Sequence, residues 1–320
     1  MNKKALICGF IGRENFGDEL MLQLHSKMLR DLGYSVYYTT DAVFFRYIKK
    51  DYIFLNRLIE PYDMSFDLIL FGGGALPLNF LAEFLIKYKI MKPETKIIAS
   101  SINIFKHEKL SDFTLSFYNN IFDCMIFRER IPQEISQNLK MKHCFLPDIV
   151  TTLNNPSRQN LDKTAVIIRE NALRIFEKYT ILPKEEFDIL IMSSSDDILN
   201  SSLQNYNIKK LFKNDPLEQY HELTSYKKIL SVGRFHSAIC GKNDRENTCY
   251  LYPFVKDSEI IKTDKNFFDW NEIKDMEKTQ MQIDSSKMLF CKTGTTTENF
   301  YDYPSCSIDD YKNFIKDVLD

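Results

Sequence analysis

Strand and helix signals alternate along most of this 320-residue chain, and one polar break divides the alternation in two. These observations predict an α/β protein made of two doubly wound, Rossmann-like domains. Composition agrees, because 44% hydrophobic residues at this length suffice for two separate cores. The expected domains cover residues 1–152 and 164–306, with a C-terminal helix over 307–320.

The elements follow in order. Lys4 to Phe10 is a continuous apolar run of buried-strand length. Asp18 to Leu32 carries Leu20, Leu24, Met28 and Leu32 four residues apart, the stripe of a helix packed on one side, and Gly33 ends it. Ser35 to Thr40 reads as the next strand, which completes a βαβ unit and makes the two strands parallel. Phe66 to Phe71 and Lys96 to Ser101 are further strands, with a helix from Leu78 to Ile90 between them, and Asp123 to Phe127 and His143 to Leu146 are shorter ones. Thr152 to Asn160 is polar, contains Pro156 and lacks periodicity, so it reads as a linker. Beyond it, strands are expected from Ala165, over Phe187 to Met192 and over Tyr226 to Val232, with a short helix from Pro216 to Ser225. Ser307-Ile308-Asp309-Asp310 has the form of a helix cap ahead of a one-sided apolar stripe.

Charge and cysteine usage narrow the function. A formal charge of −2 argues against a general nucleic-acid binder. Seven scattered cysteines without a C-x-x-C pair fit reduced thiols in a cytoplasmic protein. The apolar run after Met1-Asn2-Lys3-Lys4 is broken by Gly12-Arg13-Glu14, so it is a first strand rather than a signal peptide. No apolar run is long enough to span a bilayer. His25, His107, His143 and His221 lie in separate segments without ligand spacing, so no metal is expected. The aromatic and basic stretch from Phe80 to Lys92 reads as a core helix, with contact to a membrane surface as the other reading.

The most informative stretch is Val232-Gly233-Arg234-Phe235-His236-Ser237. It sets a permanent cation and a titratable imidazole two residues apart, after a strand and before a helix. On an extended segment such residues share a side, so Arg234 and His236 would converge on one ligand. The helix N-terminus would add N–H donors for a phosphate or carboxylate. A surface ion pair and a core histidine account for the same residues.

Three other segments complete a pattern. Gly9-Phe10-Ile11-Gly12-Arg13-Glu14-Asn15-Phe16-Gly17-Asp18-Glu19 resembles the N-terminal signature of the polysaccharide pyruvyl transferase family. Leu70-Phe71-Gly72-Gly73-Gly74 is similar to its second glycine-rich turn, and Val166-Ile167-Ile168-Arg169 to the strand that opens its second domain. Arg234-Phe235-His236 matches its Arg-Leu-His element with Phe in the middle. The polar run Gly241 to Asn247 departs from the small apolar residues and Gly-Val-Pro turn usual in the family.

That resemblance implies a GT-B-like pair of domains around a cleft and transfer of pyruvate from phosphoenolpyruvate to a nucleotide- or lipid-linked sugar, as a cyclic ketal. Phosphoenolpyruvate is then a co-substrate, and no cofactor is expected. Arg169 and Arg234 suit its phosphate and carboxylate, since guanidinium binds both bidentately and stays charged. His236 is the candidate acid–base group, and Ser237 either adds a hydrogen bond to phosphoenolpyruvate or caps a helix. Gly12, Asn15, Gly17 and Gly72 to Gly74 shape the acceptor side. There Asp18 either caps the first helix or, with Glu19, presents a carboxylate to a sugar hydroxyl. Arg128-Glu129-Arg130 resembles a family element and also reads as a solvated ion-pair cluster; Leu146-Pro147-Asp148 likewise, or as a turn. A nucleotide-sugar glycosyltransferase of GT-B type and a non-catalytic sugar- or anion-binding module remain the alternatives.

Overall fold

A computed structural model of the chain describes residues 3–12, 15–40, 53–56, 60–75, 80–103, 111–128, 130–153, 161–168, 180–181, 187–192, 207–211, 215–232, 235–240, 248–252, 267–269, 281–282 and 306–319. Contacts divide it into two compact units, Met1–Thr152 with Pro304–Asp320, and Leu153–Tyr303.

In the first unit the elements are β1 (Lys3–Gly9), α1 (Phe16–Asp31), β2 (Tyr34–Thr40), β3 (Ile53–Asn56), β4 (Leu68–Ala75), α2 (Phe80–Met91), β5 (Lys96–Asn103), α3 (Asp112–Ile121), β6 (Cys124–Phe127), α4 (Gln133–Asn138) and β7 (Lys142–Phe145). Seven strands pair in the order β3-β2-β1-β4-β5-β6-β7, all parallel. The order reverses direction at β1 and β4, which is where open sheets of this type leave a crevice at their carboxyl ends. The apolar runs are strands because both faces are covered, as a parallel sheet requires. Phe71, Ile97 and Met125 belong to one cluster with Phe84, Tyr88 and Phe117 of the helices. Tyr88 also ties its helix to the preceding turn, its hydroxyl donating to Met64 O and accepting from Phe66 N. The stretch from Phe80 is thus a core helix where it is described: Phe84, Leu85 and Tyr88 are buried, and Lys89 pairs with Asp123.

The second unit contains β8 (Leu161–Ile168), β9 (Thr180–Ile181), β10 (Phe187–Ile191), β11 (Asn207–Lys210), α5 (Pro216–Thr224), β12 (Tyr226–Val232), α6 (Phe235–Cys240), β13 (Thr248–Tyr252), β14 (Phe267–Asp269) and β15 (Met281–Gln282). Six strands run parallel in the order β11-β10-β8-β12-β13-β14, and β9 pairs with β15. β8 begins at Leu161 rather than Ala165, because the Leu161 amide already bonds to Ser225 O and Leu161 pairs with Tyr226. Its first three residues are at most half-buried, which hides them from a search for apolar runs.

Asp188 anchors the amino ends of this sheet. The carboxylate is fully buried and receives hydrogen bonds from Lys209, Tyr226, Asn207 and Lys163. Burial alone would raise its pKa; the four donors outweigh that and bring it down to about 2.

The last helix, α7 (Ile308–Leu319), belongs to the first unit. Ser307 and Asp310 cap it reciprocally: the Asp310 amide donates to Ser307 Oγ, and the Ser307 amide to Asp310 Oδ2. Its buried residues are Tyr311 and Ile315, and ion pairs join Lys312 to Asp31 and Asp317 to Lys142. Among the described residues no helix is long and apolar enough to cross a membrane.

Candidate active site

At the carboxyl ends of β1 and β4 the two chains approach so closely that a Cβ on Gly9 would lie 2.3 Å from Gly72 O. Only glycine fits there, and the strands stay in register, Gly9 opposite Gly72. The chain then turns into α1. Gly12 is buried, and its amide donates to Glu19 Oε1 at 2.6 Å. Asn15 is the residue before the helix, and its side-chain amide donates to Asp18 Oδ2.

Asp18 is therefore not the helix cap. The helix starts two residues earlier, at Phe16, and the Asp18 carboxylate sits in the first turn where the helix dipole favours it. Gly17 and Asp18 are both buried, Asp18 with 8% of its surface exposed. A Cβ on Gly73 would meet Asp18 Oδ1 at 3.4 Å and Met21 Cε at 2.8 Å. The first glycine-rich segment, the acidic residue and the second glycine-rich turn thus meet at one corner. Gly74 continues β4, opposite Ile102.

Beneath that corner lies a polar cluster in which Arg128 and Asp148, read from the sequence as separate motifs, join His25 and Ser100, which were not. His25, two turns along α1 from Asp18, is fully buried, with Nε2 2.9 Å from Ser100 Oγ and Nδ1 3.1 Å from where a Cβ on Gly72 would lie. Burial lowers its pKa to about 4, against the opposing pull of Asp148 and the Met21 backbone, so the imidazole is neutral near pH 7. Asp148 is fully buried, accepting from Arg128 Nη1 at 3.0 Å and from the Val150 amide. Arg128 is buried rather than solvated, and the pair closes the carboxyl ends of β6 and β7. Asp148 also shapes the turn expected of it, its carbonyl accepting from the Thr151 amide. Arg130 is exposed and lies over the Phe145 ring; Glu129 lies outside the described residues.

In the second unit, β8 and β12 are neighbours whose last residues, Ile168 and Val232, pair. Arg169 follows the first strand directly and Arg234 follows the second by two residues, and both lie outside the described residues. So do Gly241 to Asn247. The helix after β12 begins at Phe235, so His236 is already helical and half-buried. The alternation of an extended chain does not apply at His236, because only two residues separate strand from helix. Ser237 is the third residue of the helix rather than its cap, and its buried hydroxyl donates to Met192 Sδ. That contact ties the end of β10 to the helix carrying His236. Among the described residues no three His, Cys, Asp or Glu side chains are grouped to hold a metal.

The profile of the polysaccharide pyruvyl transferase family matches residues 15–252. No curated protein matches the sequence. Among solved structures, an alpha-glucosyltransferase in complex with UDP and a 13-mer DNA is similar at 12% identity, over 82% of this chain and 81% of that one, with a TM-score of 0.48. The wall teichoic acid polymerase TagF is similar at 11% identity over 79% and 70%, with a TM-score of 0.47. MurG of Acinetobacter baumannii is similar at 11% over 78% and 77%, with a TM-score of 0.40.

Proposed function

The chain belongs to the polysaccharide pyruvyl transferase family, and we propose that it moves pyruvate from phosphoenolpyruvate onto two hydroxyls of one sugar as a cyclic ketal. The reading is carried by the matched stretch, which takes in Asn15, Gly17, Asp18, Gly72 to Gly74, Arg169 and Arg234 to Ser237.

The chemistry asks for three things. One sugar hydroxyl adds to C2 of phosphoenolpyruvate while C3 takes up a proton and becomes a methyl group. The second hydroxyl then adds to C2 as the bond from C2 to the phosphate oxygen breaks, and its proton leaves with inorganic phosphate. Fixed cations must hold the phosphate and carboxylate, a titratable group must move protons, and the sugar must be oriented by both hydroxyls.

In this reading Arg169 and Arg234 are the cations, and they neutralise charge as it moves onto the departing phosphate. His236 is the proton-moving group. Its support is a half-buried position in the first turn of α6, at the carboxyl end of β12, where open α/β sheets take ligands. The acceptor falls to the first unit, where the Asp18 carboxylate beside Gly73 suits a sugar hydroxyl. The acceptor is a nucleotide- or lipid-linked sugar of a cell-surface glycan, and the reaction runs on the cytoplasmic side.

The test is inorganic phosphate release from phosphoenolpyruvate across a panel of sugar acceptors, with product masses recorded. The expected result is acceptor-dependent phosphate release and a product heavier by one pyruvyl ketal. Saturable binding of a nucleotide sugar, with no phosphate released from phosphoenolpyruvate by any acceptor, would overturn it.

A further inference from the structure

Ser101 is the one non-glycine residue with positive φ among the described residues, at 54°. A left-handed conformation is unfavourable for an L-residue, so something must hold it. Its position is telling. Gly72 pairs with Ser100 and Gly74 with Ile102, so Ser101 lies beside Gly73, which is itself left-handed at φ 91°. The kink at the end of β4 and the kink at the end of β5 are one feature shared by two strands. On its other side β5 changes register with β6 between Ala99 and Ile102, again around Ser101.

The bonds that hold Ser101 come from far along the chain. Ser101 Oγ lies 2.9 Å from Tyr311 Oη, and the Tyr311 hydroxyl donates to Pro147 O at 2.8 Å. The Ile149 amide donates to Ser101 Oγ at 3.3 Å. A carbonyl only accepts, so the proton of Tyr311 is committed to Pro147 and Ser101 must donate to Tyr311. The order is Ile149 N–H to Ser101, Ser101 to Tyr311, Tyr311 to Pro147, a directional chain whose members reinforce one another. Ser101 and Tyr311 are fully buried, so water cannot replace a missing link.

We propose that Tyr311, on the C-terminal helix, is a positioning residue for the Gly72–Gly74 turn: it holds Ser101 left-handed, and Ser101 sets the kink that Gly73 shares. Through Gly73 the effect reaches the Asp18 carboxylate, whose Oδ1 sits 3.4 Å from where a Gly73 Cβ would be. Tyr311 lies beyond the matched residues 15–252, so this support is supplied from outside the matched stretch. Its kinetic consequence rests on the reading of the turn as the acceptor side; its structural consequence does not.

The test compares full-length wild type, Tyr311→Phe, Ser101→Ala and the double variant Tyr311→Phe/Ser101→Gly. Hydrogen–deuterium exchange is followed in peptides covering residues 68–75, with residues 187–191 of the second unit's sheet as the internal reference. Tyr311→Phe should speed exchange at the glycine turn about tenfold and leave the reference unchanged, as for a local opening. Ser101→Ala keeps the Cβ and loses the hydroxyl, so it should do the same and serves if Tyr311→Phe folds poorly. Glycine adopts positive φ unaided, so the double variant should return the turn to within about twofold of wild type, a coupling that independent sites would not show. In the transferase assay the single variants should raise the acceptor KM roughly threefold to tenfold with phosphoenolpyruvate affinity unchanged, and the double variant should restore it. Unchanged exchange at 68–75, equal acceleration across the reference peptide, or no rescue by glycine would overturn the proposal. A wild type that turns over no acceptor would sink the transferase reading alone, since the exchange comparison needs no turnover.

Discussion

Each unit buries a cluster of polar side chains against its parallel sheet, and the two clusters are built in opposite ways. Asp188 sits at the amino ends of the second unit's strands and gathers its donors from the first three residues of β8, β11 and β12. Two of them, Lys163 and Lys209, are about 40% exposed, so the charge is paired locally and reaches solvent. None of the residues bonded to it is in a left-handed conformation. The first unit's cluster sits at the carboxyl ends and draws on His25, Ser100 and Ser101, Arg128, Asp148 and Tyr311, which are far apart in sequence. It keeps an imidazole neutral, an ion pair out of water and a serine left-handed. Buried polarity alone does not mark a site. The left-handed Ser101 separates the first cluster from the second, because a strained conformation persists only where the surrounding structure holds it.

The contrast breaks if chemistry follows the amino edge. Of all the changes considered, His236→Ala, at the carboxyl edge of the second unit, should have the largest effect, lowering turnover by roughly two to four orders of magnitude. Asp188→Asn, at the amino edge of the same sheet, should leave kcat and KM within about twofold and lower only stability. Steady-state kinetics and a denaturant titration on both variants decide it. The reverse pattern would remove His236 from the proton path.

Acid separates the two clusters more finely. His25 has a folded pKa near 4 against an ordinary value of 6.5. Between those values the unfolded chain binds the proton and the folded one does not, so stability falls as pH drops through this window. The loss is about 3 kcal/mol at the lower end. His25→Gln should flatten that slope in denaturant titrations from pH 7 to 4; an unchanged slope would mean that the imidazole is protonated inside the fold. Asp188 works in a lower window, and its effect is smaller. Its stabilisation is present above its ordinary value of 3.8 and is lost as pH falls through about 2. The amount is about 2 kcal/mol, and Asp188→Asn should remove that dependence.

The same contrast explains what could be read from the sequence. Buried parallel strands show as mainly apolar runs, so Lys4 to Phe10, Lys96 to Ser101 and Tyr226 to Val232 were legible close to their observed limits. Of the outermost strands, β7 was legible as His143 to Leu146 but β11 was not: it is Asn-Ile-Lys-Lys, and among the described strands it pairs with β10 alone. The glycine turns and Asp18 were legible as separate motifs because each is local, and the fold shows that they meet at one corner. The helix start was misjudged by two residues because Asp is a favoured cap, whereas here Asn15 precedes the helix and bonds Asp18 by its side chain. His25, Ser101 and Tyr311 had no local signature of a site, and Asp148 was visible only as part of a short motif, not as the buried partner of Arg128. Each is ordinary in its own segment, and only the fold brings them together.

In the proposed function, the carboxyl edge of the second unit's sheet binds phosphoenolpyruvate through Arg169 and Arg234. Calorimetric titration of phosphoenolpyruvate into wild type, Arg234→Ala and Asp188→Asn tests it most directly. Wild type and Asp188→Asn should bind with the same affinity, and Arg234→Ala should be weaker by about 2–5 kcal/mol, the usual cost of truncating one partner of a buried charge pair. Equal affinity in a folded Arg234→Ala protein, or loss of binding in Asp188→Asn alone, would contradict it.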